Sequence, residues 1–185
     1  WGGAPQTSFS SLAGSLRGGL SLALSGIPFW GHDIGGFFGP KPTARLYIRW
    51  AEVGLLSGLA RCHGTTPREP WEYGDQAVEI FRRYAKLRYK LIPYLYSYAH
   101  EASRTGLPLM RPLLLEFQDD PAAHHVDSQY LLGEWLLVAP ILSEEDRRTI
   151  YLPAGRWLDY WMGTIYEGPR YLPYEAPLDI LPLFV

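Results

Sequence analysis

The densest group of chemically useful side chains is Phe29-Trp30-Gly31-His32-Asp33-Ile34-Gly35-Gly36-Phe37. Asp33 follows the end of a predicted buried strand and precedes two glycines, which let a loop turn sharply and let another group approach the backbone. His32 and Asp33 can exchange hydrogen bonds with hydroxyl groups, and Trp30, Phe37 and Phe38 offer flat faces to a ring. The plainer alternative is a tight turn whose Asp bonds its own backbone. His63, in Arg61-Cys62-His63-Gly64, stands at the end of a second predicted strand. A lone histidine is more often a satisfied structural residue, but a place on a loop after a strand raises the functional share. His124-His125 with Gln118-Asp119-Asp120 invites a metal, yet adjacent histidines rarely face one ion and no third ligand has convincing spacing. No metal and no cofactor are therefore expected. Arg82-Arg83 and Lys86 read as a solvated helix face. No phosphate-cradling, dinucleotide-binding or serine-nucleophile motif is present.

The elements that must position these residues alternate in type over the first part of the chain. Leu12 and Leu16, four apart, predict a helix over 10–19 closed by Gly18-Gly19, and Leu20 to Leu24 is a short apolar run. Ile27 to Trp30 predicts a short buried strand, and residues 31–42 a Gly- and Pro-rich loop. Such loops after buried strands are where α/β barrels carry their chemistry. Thr43 is expected to cap a helix reaching about Leu56, Ala60 to His63 to form another strand, and Asp75 to cap the strongest helix. In that helix Val78, Phe81, Tyr84, Leu87, Leu91 and Tyr94 recur at helical spacing, Pro93 should kink it, and Gly106 should stop it. After Leu107 the segments turn short and β-like: 109–117, 135–141, 149–152 and 157–161. Turns are expected at Pro153-Ala-Gly155 and Glu167-Gly-Pro169. Strand–helix alternation followed by a β tail gives an α/β chain with its boundary near Gln129: residues 1–128 and residues 129–185.

Composition narrows the function classes. Hydrophobic residues make up 47% and charged residues 19% of 185, so the chain is globular rather than disordered. A net charge of −2 without a basic run gives no nucleic-acid or membrane partner. No apolar run nears the roughly 20 residues that span a bilayer. One cysteine, Cys62, excludes an internal disulfide framework and leaves the compartment open, with the cytoplasm slightly favoured. The chain begins at Trp1-Gly2-Gly3 without a Met or a signal-like segment and stops within an apolar run, so both ends read as cut. Aromatic residues reach 15%, a level that suits the stacking of sugar rings as well as a large core. The oligomeric state is left open.

The chain resembles glycoside hydrolase family thirty-one, which includes α-glucosidases and α-xylosidases. The likeness runs through Trp1-Gly-Gly, Ser15 to Ser21, Ser25 to Phe37, Arg61 to Gly64, Pro93-Tyr-Leu-Tyr96, Pro108 to Pro121, Gln129 to Pro140 and Tyr151 to Trp157. It implies the last part of a (β/α)8 TIM barrel over 1–128, and a small proximal β-sandwich domain over 129–185. It also implies a retaining mechanism with two carboxylates roughly 5 Å apart. By that resemblance Asp33 and His63 bond hydroxyls of the bound sugar, Phe37 walls the same subsite, and Trp1 stands beside the acid/base; Trp30 and His32 stay secondary candidates on their chemistry alone. The acid/base itself is an Asp after Trp-Gly-Gly in the family. Here Ala4 stands in its place, and the nucleophile belongs to a segment before Trp1. The expected ligand is an oligosaccharide or glycoside, with α-glucosidase placed ahead of α-xylosidase. A non-hydrolytic sugar-binding relative is the alternative that Ala4 raises.

Overall fold

The computed structural model describes residues 1–185. An extended opening segment leads into helix α1 (Phe9–Leu24), where the Ser8 hydroxyl accepts from the Ser11 N–H at 3.2 Å. Leu12, Leu16, Leu20 and Ala23 form its buried stripe. The helix is longer than the predicted 10–19 because Gly18-Gly19 does not end it. Gly19 instead provides a close approach: a Cβ there would overlap the Trp30 ring. Strand β1 (Gly31–Asp33) lies just beyond the predicted strand of residues 27–30. Ile27 and Phe29 are exposed, while Trp30 is buried.

Helix α2 (Ala44–Leu55) starts as expected at Thr43, whose hydroxyl accepts from the Leu46 N–H at 3.2 Å. It is buried on every side from Leu46 to Leu55, including Arg49 and Glu52. It carries the chain back to β2 (Leu59–Arg61), which pairs in parallel with β1 so that Asp33 stands opposite Arg61. After a 3-10 turn at Pro70–Tyr73 comes α3 (Asp75–Lys90). Its N-cap is Gly74 at φ 91°, not Asp75, which sits in the first turn where its charge suits the helix dipole. The single kinked helix expected through Pro93 is two helices. α3 ends at Lys90, and α4 (Ile92–Thr105) begins with Pro93 in its first turn, where a missing N–H costs nothing. Gly106 stops α4 at φ 79°, with its N–H on the Ala102 carbonyl.

The tail holds β3 (Met110–Pro112), the short α5 (Leu113–Glu116), β4 (Tyr130–Leu132), β5 (Leu136–Val138), β6 (Arg147–Leu158), β7 (Ile165–Glu175) and β8 (Leu183–Phe184). The apolar run 109–117 is therefore part strand and part helix. Strands β3-β4-β5-β8 form an antiparallel sheet, and β6-β7 a separate long hairpin. The segments 149–152 and 157–161, expected as two strands, belong mainly to β6. Pro153-Ala-Gly155 is a bulge inside that strand, and Glu167-Gly-Pro169 lies inside β7 opposite it. Trp157 Nε1 donates to the Pro153 carbonyl at 2.8 Å, satisfying an acceptor that the bulge takes out of the ladder. No helix is long and apolar enough to cross a membrane.

Two cores meet at the four-stranded sheet. Met110, Tyr130, Leu132, Leu136, Val138 and Leu183 face α1, α2 and α3. Their neighbours Leu131, Leu137, Ala139 and Phe184 face the other way, onto Ile150, Leu152, Trp157, Leu172 and Tyr174 of the hairpin. The alternation is the period-two geometry of a strand, with both faces apolar because both are covered.

Candidate functional site

The site is built at the ends of β1 and β2. Side chains of successive strand residues point to opposite faces. Trp30 and His32 therefore point towards the helices, and Gly31 and Asp33 towards the other face, beside Leu59 and Arg61. Both Leu59 and Arg61 are exposed there. Gly31 must be small, since a Cβ would lie 2.7 Å from Leu59 and 2.8 Å from the Trp1 ring.

Asp33 is only 1% exposed, and both carboxylate oxygens are engaged. Arg61 Nε donates to Oδ1 at 2.6 Å, and Trp1 Nε1 donates to Oδ2 at 3.3 Å. The Arg61 guanidinium also lies 3.8 Å from the centroid of the Trp1 ring. A buried carboxylate needs such a partner, and each of its oxygens keeps a further lone pair for another donor. The turn after Asp33 closes through the Gly36 N–H on the Asp33 carbonyl at 3.0 Å. Gly35 and Gly36 adopt φ 86° and 81°, and a Cβ on Gly36 would press on the Gln6 carbonyl.

Phe37 and His63 pack with their rings tilted at 47° and their centroids 5.5 Å apart. Their loops are tied by the Thr65 N–H on the Phe37 carbonyl at 2.7 Å and the Ile34 N–H on the Arg61 carbonyl at 3.1 Å. Arg68 is buried beneath, its Nε donating to the Gly36 carbonyl at 2.9 Å. A polar cleft of about 280 Å³ opens beside His63, walled by Thr65, Thr66 and Glu69 among others. The opening segment is stitched to the same loop. The Gly2 N–H donates to the Gly31 carbonyl at 2.9 Å, and the Pro5 carbonyl accepts from the Phe37 and Phe38 N–H groups at 2.7 and 3.2 Å. Exposed Ala4 is held between these two anchor points.

Trp1, Asp33, Phe37, His63 and the Ala4 segment thus gather at one end of the strand pair. His32 and Trp30, expected as supporting members, lie on the helix-facing side, each 1% exposed. There Trp50 Nε1 donates to His32 Nδ1 at 2.9 Å, which puts the imidazole proton on Nε2. Burial pushes the His32 pKa down to about 4, against a smaller upward pull from the Asp33 charge. The ring is neutral, and its part is in packing. Elsewhere His124 Nε2 bonds the Gln118 carbonyl, and no three His, Cys, Asp or Glu residues gather as a metal would need. Arg61 and Arg68 are the members that sequence reasoning missed. Arg61 becomes visible only through the register that sets it opposite Asp33.

Residues 1–98 match the model of the glycosyl hydrolases family 31 TIM-barrel domain, and residues 106–185 that of the family 31 C-terminal domain. The chain belongs to glycosyl hydrolase family 31. It is 42% identical over 196 residues to an α-xylosidase of Emericella nidulans, covering 100% of this chain and 25% of that protein. It is 38% identical over 189 residues to α-glucosidase 2 of Bacillus thermoamyloliquefaciens, covering 100% of this chain and 24% of that one. The family 31 dextranase FjDex31A of Flavobacterium johnsoniae, solved with glucose, superposes with a TM-score of 0.92 at 40% identity, over 96% of this chain and 23% of the dextranase. The chain spans about a quarter of the length of these relatives. Within family 31, β1-α2-β2 and the helices around them are the barrel portion, and the sheet and hairpin form the C-terminal β domain.

Proposed function

We propose that the protein is a retaining α-glycoside hydrolase that releases terminal α-linked glucose, with xylose as the alternative sugar. This chain supplies one wall of the subsite holding that sugar. The observation that carries the reading is the buried Asp33 carboxylate, held at a strand end by Arg61 and Trp1 beside the Phe37–His63 pair. A carboxylate so placed accepts hydrogen bonds from vicinal hydroxyls, a histidine adds a further polar partner, and aromatic faces cover the C–H face of a pyranose. The similar proteins include both an α-xylosidase and an α-glucosidase, which supports the substrate class.

Position 4 is the place of the general acid, and Ala4 cannot donate a proton. The nucleophile is supplied by a segment preceding Trp1. Ala4 also favours a second reading, a relative that binds sugar without cleaving it. One experiment separates the two: hydrolysis of methyl α-glucoside and methyl α-xyloside by the full-length protein with Ala4 and with Ala4→Asp. An alkoxide leaving group needs protonation, so the Asp version should turn over about 10²–10⁴-fold faster. No detectable turnover by the Ala4 protein itself, with sugar binding intact by calorimetry, would establish the second reading, whether or not Ala4→Asp restores cleavage.

A further inference from the structure

We infer that Arg61 is a positioning residue of the site, coupling the sugar-binding carboxylate Asp33 to the Trp1 segment that carries position 4; this rests on the reading of the site given above. Three observations meet at this side chain. Its Nε bonds the buried Asp33 at 2.6 Å. Its guanidinium carbon lies over the Trp1 ring, 3.8 Å from the centroid. The Trp1 N–H completes the triangle on the other Asp33 oxygen at 3.3 Å. Asp33 and Arg61 are direct register partners on adjacent parallel strands, so the backbone delivers the pair without any loop adjustment.

The triangle performs two tasks. It fixes the carboxylate plane of Asp33, because the oxygens are claimed from two different directions, and this sets where their remaining lone pairs point. It also fixes Trp1, three residues before position 4, through a stacked face and a hydrogen-bonded edge together. A guanidinium does both at once because it is planar and offers several donors; an ammonium keeps the charge but neither stacks nor forks in this way. Arg61 also retains four N–H donors on NH1 and NH2 that bond nothing within this chain, and its side chain is 47% exposed. Its anchoring of Asp33 and Trp1 therefore uses only the Nε edge and the ring face of the guanidinium.

The test uses the full-length protein, with Arg61→Met, Arg61→Lys, Asp33→Asn and the Arg61→Met/Asp33→Asn double variant. Methyl α-glucoside and methyl α-xyloside are the titrants in calorimetry. Arg61→Met should weaken binding by about 10–100-fold, the scale of one hydrogen bond to a charged group. Arg61→Lys should recover much of that loss. The Met substitution should cost little once Asp33 is already Asn, since the effect passes through that carboxylate. In fluorotryptophan-labelled protein, the Trp1 resonance, assigned with Trp1→Phe, should move in both Arg61 variants. A Trp1 resonance unmoved by Arg61→Met and Arg61→Lys, or additive losses in the double variant, would overturn the coupling. If Asp33→Asn leaves sugar binding unchanged while the Trp1 resonance still responds to Arg61, the positioning stands and the sugar-binding role of Asp33 falls. Should Arg61→Met fail to fold, the Lys variant alone decides: an unmoved Trp1 resonance refutes the stacking.

Discussion

Lowering the pH from 7 to 4 challenges a histidine that the fold holds neutral. His32 lies in the layer between β1 and α2, 1% exposed, with its Nδ1 taken by the Trp50 N–H. Burial places its folded pKa at about 4, below the ordinary 6.5. The unfolded chain therefore takes up the proton first. The stability contributed by the neutral ring is fully present above pH 6.5 and is lost as the pH falls towards 4. That window is about 2.5 pH units wide, and at about 1.4 kcal/mol per unit the loss reaches about 3 kcal/mol. His32→Asn keeps an acceptor for the Trp50 N–H and removes the titrating ring. Urea unfolding of wild type and variant, followed by Trp fluorescence at pH 7, 6, 5 and 4, isolates the effect, because every other titrating group is common to both. At pH 7 the variant should be less stable by about 1 kcal/mol for lost packing. By pH 4 the order should reverse. Curves that stay parallel across the window would refute the assignment of a neutral, proton-resisting His32.

Glu52 works in the opposite direction. Burial raises its carboxyl pKa from 4.5 to about 8, and the Arg49 guanidinium lowers it only in part because Arg49 is shared with Asp146 and three carbonyls. The folded state holds the proton longer than the unfolded chain, so this contribution is full below pH 4.5 and lost as pH rises towards 8. Glu52→Gln should accordingly gain on wild type in urea midpoint between pH 5 and pH 8, and a constant offset would contradict it. Gly19→Ala should lower the thermal midpoint by an amount worth about 1–3 kcal/mol, because the new methyl overlaps the Trp30 ring and α1 must move away from β1. An unchanged melting curve would show that this close packing is not required.

What the sequence made legible was what local chemistry decides. Thr43 capped α2 and Gly106 stopped α4 because each acts on backbone groups within four residues of itself. Asp33 was found at a strand end because an apolar run followed by two glycines has few other solutions. The misread features depend on partners far away in the chain. Pro153-Ala-Gly155 and Glu167-Gly-Pro169 carry turn residues, yet they face one another across the hairpin. Gly168 leaves room for the bulged Pro153 carbonyl, and neither segment shows this alone. Pro93 announced a break, but only the packing of α3 and α4 against different neighbours decides between a kink and two helices. Arg61 was passed over because its value comes from a parallel register, which no local pattern encodes. Trp30 and His32 were credited to the site for their chemistry, when strand alternation had already sent them to the other side.

The shared sheet has a mechanical meaning. Strands β4, β5 and β8 are at once the outer wall of the helix-lined core and the inner wall of the hairpin core, residue by residue in alternation. A wall used from both sides cannot act as a hinge, since any rotation large enough to matter would pull side chains out of one cavity or the other. The barrel portion and the β domain therefore share one packed wall, and parting them would expose the apolar lining of both cores. The sheet of the tail thereby closes the same core, through Trp30 and Ile34, that flanks the strand end carrying Asp33.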